Sequence, residues 1–110
     1  MEGCDALVYA LGPDDREVPP APAYGYFQPR LVEGCARVLA AAREAGIARC
    51  TVLGSYYATF ARQWPGKRLA EHHPYVRCRL EQAERAMAEG GGRMAVSVLE
   101  LPYIFGAMPQ

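Results

Sequence analysis

Pro74-Tyr75-Val76-Arg77-Cys78-Arg79 opens a helix, and the rest of the chain falls into order around it. Proline suits a first helical turn, because its fixed φ is preorganised and its missing N–H would be unpaired there anyway. Val76, Leu80, Ala83 and Met87 recur at helical spacing and form the expected buried stripe. Gly90-Gly91-Gly92 ends the helix. Tyr75 and Arg79 are four residues apart and share one face. A phenol held beside a fixed cation becomes usable as an acid or base, because the positive charge favours the phenolate.

Upstream, Cys50-Thr51-Val52-Leu53 is a short apolar run that ends at Gly54-Ser55, placing a hydroxyl where it can join the site. Downstream, Met94-Ala95-Val96-Ser97-Val98-Leu99 reads as another strand, and Leu101 to Gly106 as a loop leaving it. At the other end, Ala6 to Leu11 is a continuous apolar run closed by Gly12-Pro13, the pattern of a strand buried on both faces. Asp14 to Tyr26 reads as a loop, because Pro19, Pro20 and Pro22 oppose helix and strand. Leu31, Val32, Cys35, Val38, Leu39 and Ala42 form one helical stripe, stopped at Gly46. Tyr56 to Glu71 reads as a long connection with a turn at Pro65-Gly66.

The order is strand, helix, strand, helix, strand. Crossovers of this length join parallel strands. The expected fold is α/β, a three-layer Rossmann-like half-domain of three parallel strands and two main helices, β-α-β-α-β. The 110 residues suffice for one modest domain. Hydrophobic residues make up 51%, which supports a packed core.

Twelve basic residues balance twelve acidic ones. That balance gives no electrostatic footprint for nucleic acid or an anionic membrane, and little protection against self-association. No apolar stretch approaches a membrane span, and no signal peptide is visible at the N-terminus. Cys4, Cys35, Cys50 and Cys78 lack metal or disulfide spacing and read as small, buried or half-buried thiols in a reducing cytoplasm. His72-His73 reads as a solvated helix entry rather than a metal site, since adjacent side chains point apart. The aromatics Tyr56, Tyr57, Phe60 and Trp64, and likewise Tyr24, Tyr26 and Phe27, read first as loop packing and second as stacking surfaces.

Taken in order, these segments resemble the extended short-chain dehydrogenase/reductases, the NAD(P)-dependent epimerase/dehydratase group. Asp5 to Gly12 is similar to the strand passing the nicotinamide end of the cofactor. Gly34 to Ala42 is similar to the helix segment G-T-x-N-V-L-x-A-A. Val52 to Ser55 resembles the strand ending in paired serines, Pro74 to Arg79 the Y-x-x-x-K helix, and Leu99 to Gly106 the R-x-P-x-x-x-Y-G segment.

The resemblance implies that Tyr75 is the catalytic acid/base, that Arg79 replaces the lysine on the nicotinamide ribose, and that Ser55 polarises the substrate oxygen. Ala10, Leu11, Gly12, Arg79 and Pro102 would line the cofactor, NAD or NADP. The substrate would be a small molecule such as a nucleotide sugar.

Four positions depart from the family pattern: Arg79 stands for lysine, Tyr56 for the catalytic Ser or Thr, Leu31 for asparagine, and Glu100 for arginine. The glycine-rich phosphate turn and the C-terminal substrate lobe have no counterpart in the 110 residues. By resemblance the chain corresponds to the second half of a cofactor domain, with weak cofactor binding expected. The other expectation is a non-catalytic interaction module that pairs with a partner chain or a second copy of itself through the uncharged, exposed edge of the first strand.

Overall fold

The structure is a computed structural model that describes residues 3–11 and 21–102. Three strands form one sheet in the order β1-β2-β3, all parallel: β1 Ala6–Tyr9, β2 Arg49–Ser55 and β3 Ala95–Leu101. Leu7 pairs with Cys50 and Tyr9 with Val52, while Cys50 pairs with Val96 and Val52 with Val98. The α/β class and the β-α-β-α-β crossovers therefore hold.

These six paired residues share one sheet face, because side chains alternate along a strand. Cys35, Leu39 and Ala42 from helix α2 (Gly34–Glu44) and Ala86 from helix α5 (Pro74–Glu89) cover that face. Leu39 is fully buried, and its truncation to alanine is expected to cost about 2–5 kcal/mol. The opposite face, with Val8 65% and Leu99 48% exposed, is open among the described residues. Among the described residues the helices thus form one outer layer, where a three-layer sandwich has two. Among the described residues β1 is therefore covered on one face only, not both.

Several local expectations are corrected. The first strand stops at Tyr9, so Ala10 and Leu11 lie beyond it. The last strand runs on through Glu100 and Leu101, past the point where the sequence pattern puts the start of a loop. Ala23–Phe27 is a helix, α1, inside what reads as a proline loop. Pro22 occupies its N-cap with extended backbone, an entry position where proline costs nothing. A π-helical segment, Gln28–Glu33, joins α1 to α2, and the Gly34 N–H donates to the Pro29 carbonyl. Pro29 has no N–H to give an ordinary turn, and the wider turn accommodates it.

The segment Tyr56–Glu71 is also more ordered than its sequence signals. It contains helix α3 (Tyr56–Gln63), a 3₁₀ turn (Pro65–Lys67) and helix α4 (Leu69–His72). Tyr, Thr and Phe are indifferent helix formers, so tertiary packing decides α3. On α5, Val76 and Ala83 are buried as expected, but Met87 is 56% exposed and Leu80 only half-buried. Cys78, Gln82 and Ala86 complete the buried stripe instead.

Two terminations match expectation. Gly46, at φ +85°, follows α2, and Gly91 and Gly92, at φ +58° and +78°, follow α5. Pro13, most of the proline loop, and the tail beyond Pro102 lie outside the described residues.

Candidate functional site

Parallel strands put all their carboxyl ends on one edge, and each crossover helix starts from that edge. Tyr75 and Arg79, in the first turns of α5, lie there together with Ser55 at the end of β2. Arg79 Nε donates to Tyr75 Oη at 2.8 Å, and Arg79 Nη1 donates to Gln82 Oε1 at 2.8 Å. The guanidinium carbon is 5.3 Å from the Tyr75 ring centroid. The charge therefore bears on both the oxygen and the ring of the phenol.

Aromatic rings fix the Tyr75 side chain. Phe27 meets it edge-on, with centroids 5.2 Å apart at 74°, and Tyr57 does the same at 5.9 Å and 88°. Phe27 is anchored in a second core with Leu31, Val32 and Cys78. Leu31 is wholly buried there. Tyr57 comes from α3, whose first turn is capped by Ser55: the Tyr57 N–H donates to Ser55 Oγ at 3.2 Å. The Ser55 side chain is buried and committed as an N-cap, with its own O–H still available to donate.

Glu100 is likewise engaged. It accepts from Arg62 Nη1 at 2.6 and 2.8 Å and from Thr59 Oγ1 at 2.5 Å, tying α3 to β3. Phe60 and Trp64 continue the aromatic row, stacked with centroids 5.1 Å apart.

Of the proposed cofactor-lining residues, Ala10 and Leu11 follow β1 and are exposed, and Pro102 follows β3 and is exposed. All three stand on the carboxyl edge. Gly12 lies outside the described residues. The glycine run Gly90–Gly92 sits at the far end of α5, away from this edge. His72 and His73 are exposed, and among the described residues no group of three metal-ligating side chains converges. No helix of the described residues is long and apolar enough to cross a membrane.

Two members of the site are not in the sequence reading. Tyr9 is buried against α2, and burial pushes its phenol above the usual range. The nearby Cys35 thiol pushes it further up, and the Arg79 charge pulls it down. Arg79 therefore acts on two phenols. Gln82 is 1% exposed and bonded to Arg79. Its signal was present: it lies three residues after Arg79 and seven after Tyr75, on the same face. Tyr9 is the one polar-tipped side chain in an aliphatic run.

Chemically, the arrangement presents a phenol whose oxygen already receives a cationic donor. No family model, curated protein or solved structure matches the chain.

Proposed function

We propose that this chain is a divergent member of the NAD(P)-dependent epimerase/dehydratase group, with Tyr75 as the acid/base toward a substrate hydroxyl or carbonyl. The observation that carries this reading is the 2.8 Å bond from Arg79 to the Tyr75 oxygen at the carboxyl edge of a parallel sheet. A donor on the oxygen and a positive charge beside it both favour the phenolate. Tyr75 would hold a proton at Oη, give it to a substrate oxygen and take it back in the reverse direction. Ser55 would donate its O–H to the same substrate oxygen. A bound nicotinamide would supply the hydride acceptor or donor.

The residues fit the nicotinamide end of such a cofactor and not its pyrophosphate. Exposed Ala10 and Leu11 would meet the ring, and Arg79 the ribose. Pyrophosphate is usually held by a glycine-rich turn leading into a helix N-terminus. Here α5 starts with His73 and Pro74, and Pro74 has no N–H to offer. Binding of NADH or NADPH by this chain is therefore expected to be weak, in the millimolar range by the affinity scale of about −4 kcal/mol.

The test is an amide correlation spectrum of the chain titrated with each dinucleotide. Shifts confined to Tyr75, Ser55 and Leu11 at millimolar concentration support the reading. A spectrum indifferent to both refutes the cofactor assignment, and low-micromolar binding refutes the account of the phosphate end. If turnover is found with any hydroxyl or carbonyl substrate, Tyr75→Phe must abolish it. Activity that survives that substitution removes Tyr75 as the acid/base.

A second reading is an interaction module. The sheet face and the β1 edge that stay open among the described residues favour it, and zero net charge offers little repulsion between copies. At four residues, β1 is a short edge, which weakens edge-to-edge pairing. A concentration-independent monomer in sedimentation, unfolding cooperatively, would overturn this reading.

A further inference from the structure

Gln82 is the polar side chain most deeply placed among the described residues, at 1% exposure. Burying an amide is unfavourable unless it is hydrogen-bonded. Only half of this one is. Its Oε1 accepts from Arg79, while its Nε2 is buried with no hydrogen-bond partner among the described residues. The Cys35 sulfur is near it, and a thiol is a weak acceptor. For packing alone, a methionine or leucine would fill this place without leaving a buried donor to so weak an acceptor. The amide is accounted for by what its oxygen does to Arg79.

An arginine side chain has several rotatable bonds, and one hydrogen bond to Tyr75 would leave its guanidinium free to turn. A second bond, from Nη1 to a fully buried acceptor, fixes both its position and its plane. The three residues sit at spacings of four and three on one helix face, so the backbone presets the arrangement. The amide cannot simply reverse, since its NH₂ would then face the guanidinium donors.

We propose that Gln82 is the positioning residue of this site: its buried amide oxygen holds the Arg79 guanidinium on the Tyr75 oxygen. This rests on the reading of Tyr75 as a proton-transfer group, but its test needs no cofactor. The full chain is labelled at the tyrosine Cζ carbons and the arginine side-chain nitrogens. The Tyr75 signal is assigned by its loss in Tyr75→Phe.

In the unsubstituted chain, Arg79 is expected to give separate, slowly exchanging Nη signals. In Gln82→Met those signals average, and the Tyr75 titration midpoint rises by about one pH unit, the size of a charge-assisted bond of about 1.4 kcal/mol. Gln82→Glu keeps an acceptor and should restore the separate Nη signals. Averaged Nη signals in the unsubstituted chain would overturn the proposal, and this measurement stands even where Gln82→Met does not fold. An unmoved Tyr75 midpoint in a folded Gln82→Met protein would overturn it as well. If Tyr75 responds to Gln82 while neither dinucleotide perturbs the spectrum, the positioning role stands and the nicotinamide reading falls.

Discussion

Gly90→Ala tests how α5 is seated, and with it the placement of Tyr75 and Arg79. Gly90 closes α5 with ordinary helical backbone, φ −60° and ψ −35°. By propensity alone, alanine there should stabilise by about 0.5–1 kcal/mol. Space decides otherwise. A Cβ on Gly90 would lie 2.5 Å from the Met94 carbonyl oxygen and 3.2 Å from Val96 Cγ2. The carbonyl cannot easily retreat, because the Met94 N–H is bonded to the Gly90 carbonyl at 3.1 Å and the next residue, Ala95, to the Ala48 carbonyl at 2.9 Å. Overpacking of this kind costs about 1–3 kcal/mol, which exceeds the propensity gain. An approach as close as 2.5 Å to a backbone oxygen belongs to the upper part of that range, about 2–3 kcal/mol, so the net loss is about 1–2.5 kcal/mol, or roughly 4–20 °C in Tm for a domain of this size. Gly25, inside α1, is the control, since a Cβ there meets nothing within 4 Å. Gly25→Ala should therefore be neutral or stabilising by about 0.5–1 kcal/mol. Thermal and urea unfolding of both variants gives the comparison. A Gly90→Ala protein as stable as the parent, or a Gly25→Ala protein that loses more than it does, would refute the steric argument.

Other outcomes follow from the thiols and the caps. Cys4 is exposed while Cys35, Cys50 and Cys78 are buried, so a thiol-specific chromogenic reagent should titrate one cysteine in the native protein and four in denaturant. Burial raises the Cys35 and Cys78 thiols from 9.0 to about 11. These groups stay neutral in the folded chain, so the stability they contribute is fully present below pH 9 and is lost as the pH rises through 11. Urea midpoints should fall over that window, and less steeply in Cys35→Ala; a flat profile would contradict the burial of these thiols. Ser55→Ala should cost about 1 kcal/mol by uncapping α3, and Ser55→Asp should retain most of that stability by equilibrium unfolding. Equal losses in both variants would show that the cap is not what holds α3.

The strand and helix pattern was legible because local rules agree with the final packing. Val52 and Val96 belong to apolar runs, Pro74 marks the start of α5, and Gly46 and Gly91 take up the left-handed stops. The pair Tyr75–Arg79 was legible for the same reason, since helix geometry alone brings residues four apart together.

What the sequence by itself determined is therefore the α/β order, the carboxyl-edge location of Ser55, Tyr75 and Arg79, and the ends of the main helices. Only the tertiary structure decided that α3 forms, because its aromatic residues gain their stability against α5 and not from propensity. It also decided that the helices cover one sheet face, a matter of where α2 and α5 dock. Met87 faces solvent while Gln82 is buried, the reverse of their hydropathies, because docking of α5 turns Ala86 and its neighbours toward the sheet. Buried polar contacts between distant segments leave no periodic trace in the sequence, and that is why Tyr9 came to light only in the folded chain.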